Sequence, residues 1–145
     1  MPVQEGLDAI RAWVRMDRAF AQFNRWLETE HGITGAQLGV LRIIAEMQPV
    51  TLAELRSRLT LHPATLGQLV DRIAARGLVV RGPCATDHRR REVALSALGL
   101  RTLERAPLAG PVRLRTATEP PARLKALADA LTDAVSLFGL EEWAR

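Results

Sequence analysis

The sequence predicts a mainly α-helical protein with one small β-hairpin, and three observations carry that reading. Apolar residues recur at helical spacing along most of the chain. Capping patterns led by Thr, and Gly stops, cut those stretches into separate helices. One β-branched run, Leu78-Val79-Val80-Arg81, faces a second alternating run, Glu92 to Ser96, across a turn-rich stretch.

From Glu5 to about Glu30 the spacing predicts a long helix. Leu7, Ile10 and Val14 form one apolar stripe, and Trp13, Met16, Phe20, Phe23 and Leu27 form its neighbour. A stripe that wide fits burial on two sides, against the chain's own core or against another subunit. His31-Gly32 ends it. Thr34 and Gln37 then form a capping box for a second helix with Leu38, Leu41, Ile44 and Ala45 inward, lasting until Pro49. Thr51 and Glu54 form another, opening a short helix from Leu52 to Leu59.

After the turn Thr60-Leu61-His62, Pro63 stands where a first helical residue tolerates a missing N–H. The fourth helix runs to about Arg76, with Leu66, Leu69, Val70 and Ile73 inward and Gly77 as its stop. The hairpin follows, its tip spanning Gly82 to Asp87 and an Arg run. A fifth helix starts near Ser96 or Ala97 and ends by Arg105, because Pro107, Gly110 and Pro111 break it. Residues 106–121 read as an irregular connector. A last helix begins at Pro120-Pro121, with Leu124, Leu127, Leu131, Val135 and Phe138 as its seam. The expected organisation is 1–31, 32–105 and 106–145.

Composition narrows the function. The chain has 145 residues, 48% hydrophobic and 25% charged, as ordinary globular domains have. A single Cys forms no internal disulfide, and with three scattered His it supplies no clustered metal set. No apolar run reaches the roughly 18–20 residues of a membrane span, and the early acids of MPVQEGLDAIRAW do not fit a signal peptide. We therefore expect a cytoplasmic protein without membrane contact. There is no Ser/His/Asp arrangement on a strained turn, no phosphate-binding glycine loop and no buried carboxylate pair. An enzyme, a cofactor and a metal are accordingly not expected.

Charge distribution points to a partner. Arg72 to Arg91 holds six Arg and one acid, Asp87, for a local charge of +5 within a chain of net +4. The remaining 125 residues sum to −1. That is the footprint of a phosphate-backbone contact, although charge runs also occur as plain solvated loops. Two short helices joined by a turn, followed at once by a basic-tipped hairpin, make a winged helix-turn-helix. A helix fits the major groove, where base edges are distinguishable, and a hairpin tip sets guanidinium groups against backbone or minor groove.

Over Ile33 to Leu103 the chain resembles the MarR (multiple antibiotic resistance regulator) family of transcription factors. ITGAQLGVLRIIAE looks like the family's second helix. TLAELRSRLTLHPATLGQLVDRIAARGLVVR looks like its helix-turn-helix, Asp87-His88-Arg89 like its wing signature, and VALSALG like the following strand and helix start. The resemblance implies a homodimer whose N- and C-terminal helices interlock, bound to a pseudo-palindromic double-stranded DNA site. It also implies repression, released by a small-molecule effector or an oxidant.

Carried over by position, His62, Ala64, Thr65 and Gln68 read bases. Arg89 enters the minor groove, oriented by a salt bridge from Asp87, while Arg72, Arg90 and Arg91 support backbone contact. His62 replaces the family's usual Ser or Asp cap. Gly67 replaces a small polar residue, and a Pro-broken stretch after Arg105 replaces a long spanning helix.

Blander readings stand beside these. Asp87 and Arg89 also fit a surface ion pair, and His62, Thr65 and Gln68 fit ordinary exposed polarity. Cys84 fits either an oxidant sensor, its thiol acidified by Arg81, or an unreactive wing thiol. A metal held by Cys84, Asp87 and His88 is rejected as a poor cage. The alternative to DNA binding is a winged-helix module for protein or RNA.

Overall fold

A computed structural model describes residues 1–59 and 63–145. The chain divides into two compact units, residues 1–110 and 111–145. The first holds α1 (Gln4–His31), α2 (Gly35–Met47), β1 (Val50–Thr51), α3 (Leu52–Arg58), α4 (Pro63–Ala75), β2 (Val79–Pro83), β3 (Arg91–Leu95) and α5 (Ala97–Arg105). The second holds α6 (Pro121–Leu137) between 3₁₀ turns at Pro111–Thr116 and Glu141–Trp143. This is the mainly helical, winged helix-turn-helix architecture that the sequence predicts, with long helices at both ends.

Local chemistry sets the helix boundaries. Gly32 takes the left-handed conformation, φ 67°, and its N–H donates to the Glu28 carbonyl, which stops α1. Both capping boxes form. The Thr34 hydroxyl accepts from the Gln37 N–H while the Gln37 side chain accepts from the Thr34 N–H. Thr51 and Glu54 repeat the exchange at the head of α3. Each satisfies donors that a helix start otherwise leaves open. Asn24 adds a tie between α1 and the start of α2, its Oδ1 accepting from the Gly35 N–H at 2.9 Å.

The core of the first unit lies where α2, α4 and the sheet meet. Leu38, Leu41 and Ile44 of α2 pack with Leu66, Val70 and Ile73 of α4, Leu55 of α3, Val50 of β1 and Val93 of β3. Leu27 is the single buried residue of α1. Along the rest of α1, Ile10, Trp13 and Met16 keep 55%, 45% and 52% of their surface exposed. The chain's own core covers only the C-terminal end of that helix. In the second unit no residue of α6 is buried, and Leu127, Leu131 and Phe138 of the expected seam are exposed.

The sheet has one strand more than the expected hairpin. β3 is central, pairing antiparallel with β2 on one side (Val79 opposite Leu95, Arg81 opposite Val93) and with β1 on the other (Val50 opposite Val93). β2 also extends past Arg81 to Pro83. Its missing N–H is tolerated at the end of an edge strand.

Between the strands and α5, Ser96 joins three elements. Its N–H donates to the Leu78 carbonyl, its hydroxyl donates to the Gly77 carbonyl, and the same oxygen accepts from the Gly99 N–H. Arg42 of α2 reaches the other end of α5 and donates to the Ala106 and Pro107 carbonyls at 3.3 Å. Desolvation there lowers its pKa.

Candidate nucleic-acid interface

α4 presents two faces because its apolar residues recur at 3.6-residue spacing. Leu66, Leu69, Val70 and Ile73 are buried, while Ala64, Thr65, Gln68, Asp71 and Arg72 are exposed. The middle of the outer face runs through Ala64, Gln68 and Asp71, at spacings of four and three. Among the described residues the side chains of Thr65, Gln68 and Arg72 make no hydrogen bond or ion pair, which leaves their polar atoms to solvent or a ligand. His62 lies outside the described residues.

The wing tip is ordered by its own backbone. Beyond the last pair, Pro83 opposite Arg91, the Cys84 N–H donates to the Arg90 carbonyl at 2.8 Å. The Arg90 N–H donates to the Asp87 carbonyl at 3.0 Å, closing a four-residue turn over 87–90. Inside that turn the Asp87 carboxylate accepts from the Arg89 N–H at 3.0 Å. This corrects the expected geometry. Asp87 holds Arg89 through its main chain, and no side-chain ion pair joins the two. The reason is proximity: a short acid two residues upstream reaches the N–H directly, as Asp does in many turns. Arg89, Arg90 and Arg91 are all exposed at this tip.

Sequence reasoning missed the link between helix and wing. Arg81 of β2 donates from Nη2 to Oδ1 of Asp71 on α4. In the sequence Asp71 reads only as a member of the fourth helix, and Arg81 only as the end of a β-branched run and a neighbour of Cys84. Ten residues and a change of element separate them, and no periodic signal reveals such a pairing.

Cys84 is 7% exposed, and its sulfur sits 3.2 Å from the Thr86 hydroxyl. Arg81 pairs with Asp71. Among the described residues no cluster of His, Cys, Asp or Glu is placed to hold a metal ion, and no helix is long and apolar enough to cross a membrane.

Three kinds of comparison bear on this arrangement. Residues 31–90 match the model of the MarR family. A curated relative, the putative transcriptional regulatory protein for the hcr operon of Thauera aromatica, is 29% identical over 87 residues. That alignment takes in 60% of this chain and 52% of the relative, so the chain spans about half the length of the curated protein it matches.

Among solved structures, the S. aureus MepR–DNA complex superposes with a TM-score of 0.64 at 17% identity, covering 90% of this chain and 96% of that one. Bordetella bronchiseptica BpsR, a structure concerned with regulation of its DNA binding by 6-hydroxynicotinic acid, superposes at 0.62 with 24% identity, covering 92% and 96%. At such identities the likeness establishes the fold. Sequence match and fold coincide over the helix-turn-helix: residues 31–90 match the MarR-family model and fold as a winged helix-turn-helix.

Proposed function

We propose that this protein is a sequence-specific, double-stranded-DNA-binding transcriptional regulator that represses by occupying a pseudo-palindromic operator as a homodimer. The observation that carries the reading is the pairing of two unengaged polar surfaces: Thr65, Gln68 and Arg72 on the outer face of α4, and, at the wing tip, Arg89 and Arg90 on a turn fixed by Asp87 with Arg91 at the start of β3. The first supplies groups for base edges and phosphates, the second guanidinium groups at a set offset. Ala64 belongs to the same proposed reading surface, and His62, outside the described residues, is proposed from the sequence to read bases as well. The MepR complex with DNA supports the assignment by fold.

The homodimer is supported by α1, whose apolar stripe stays exposed in the single chain. Exposed apolar surface on this scale marks association. A small-molecule effector is supported by the regulation of BpsR by 6-hydroxynicotinic acid.

Selection of bound duplexes from a random pool tests the reading. The expected result is a two-fold site with half-sites about 10 bp apart, centre to centre. Arg89→Ala should weaken binding to that duplex and lower the slope of log affinity against log salt by about one. A pool that yields no enriched duplex, or an asymmetric site bound by monomer, would sink the proposal.

A further inference from the structure

Asp71 occupies the middle of the outer face of α4, one turn beyond Gln68. An acid is out of place there. The surface that the proposed function sets against phosphates carries a carboxylate at 69% side-chain exposure, immediately before the basic segment that begins at Arg72. A like charge facing the phosphate backbone opposes association. Arg81 removes that opposition, because its Nη2 donates directly to Asp71 Oδ1.

The place of Arg81 gives the contact a second effect. It lies on β2 opposite Val93 of β3, and Val93 is buried in the core. A guanidinium anchored on that rung therefore ties the base of the wing to the outer face of α4. At the tip, the side chains of Arg89, Arg90 and Arg91 have no such tie to the helix. The buried contacts of Val79 and Val93 with α4 already join the helix to the hairpin base, and this pair adds a tie on the outer face.

We propose that Arg81 is a positioning residue for DNA binding: it masks the Asp71 carboxylate on the DNA-facing side of α4 and adds an outer-face tie between that helix and the wing, and it is not itself a phosphate contact. The inference rests on the DNA-binding reading above. It assigns the basic residues of the segment to different tasks, with Arg72, Arg89, Arg90 and Arg91 left open to a partner and Arg81 paired with an acid.

The test is a double-mutant cycle on the full chain, read by fluorescence anisotropy with a labelled duplex recovered from the random-pool selection. Arg81→Ala should weaken binding about tenfold, because it uncovers Asp71, and the salt slope should stay at the wild-type value. In the Asp71→Asn background, the same Arg81→Ala change should cost less than about threefold, since there is no longer a carboxylate to mask.

Thermal unfolding at fixed concentration should differ little between wild type and Arg81→Ala, as expected for an exposed pair. An equal loss in both backgrounds, or a salt slope lower by about one in Arg81→Ala, makes Arg81 a phosphate contact and overturns the proposal. A wild-type protein that enriches no duplex overturns the DNA-binding reading, and this inference falls with it.

Discussion

The Leu78 carbonyl oxygen lies 2.0 Å from where a β-carbon on Gly99 would stand. α5 therefore begins with its backbone pressed against the chain that leaves α4 for the wing. The Ser96 hydrogen bonds to Gly77 and Leu78 hold the two in that contact. The partner is main chain held at both ends, so it has little room to retreat.

Gly99→Ala should accordingly destabilise the fold by about 1–3 kcal/mol, the range for forcing a methyl group into a filled space. Urea unfolding at constant protein concentration measures it, and an unchanged midpoint would contradict the contact.

Gly67 is the opposite case. It sits in the interior of α4, and a β-carbon there meets nothing within 4 Å. Gly67→Ala should stabilise the protein by about 0.5–1 kcal/mol through helix propensity and a less flexible unfolded chain. A loss of stability in the same assay would mean that the space is not free.

Asp87 permits a sharper distinction. Its carboxylate accepts from the Arg89 N–H, and an amide oxygen can accept that bond equally well. Asp87→Asn should keep affinity for the selected duplex within about threefold, while Asp87→Ala, which loses a bond of about 1 kcal/mol, should cost about fivefold. Equal losses for the two variants would point to a charge effect on the Arg89 side chain instead.

The apolar stripe of α1 makes assembly testable. Met16 is 52% exposed in the single chain, so Met16→Glu should leave the fold intact in circular dichroism and convert a dimer to a monomer in light scattering. Removing residues 122–145 should likewise give monomer or aggregate. A dimer that survives both changes would place the interface elsewhere.

What the sequence revealed was local. The boxes Thr34/Gln37 and Thr51/Glu54, the stop at Gly32 and the turn around Asp87 each depend on residues two to four apart, and all form. What it hid was long-range. Val50-Thr51 is too short to read as a strand, and its extended shape comes from pairing with Val93 and Glu92, more than forty residues away.

Thr51 also carried a stronger signal as a helix cap, and it serves as both. The Asp71–Arg81 contact was hidden in the same way. For α1 the periodicity was plain but its partner was not, because a hydrophobic stripe records that something covers it without recording what. In the candidate interface, the sequence located the exposed residues of α4 and the wing. The salt bridge from Asp87 came from the resemblance; in the single chain the Asp87 carboxylate accepts from the Arg89 N–H, a local bond that the residue types alone do not distinguish from charge pairing.

β3 lies between its two partners, and Val93 shares one rung with Val50 on one side and Arg81 on the other. The wing is thereby stitched into the junction between α2 and α3, and its inner half cannot peel away as an independent flap. The tip beyond Cys84 is held by its own turn and by no strand pairing, while the hairpin base moves with the body of the first unit. Unfastening that base means breaking the sheet, so the hairpin's inner half belongs to the same cooperative folding unit as the helices beneath it.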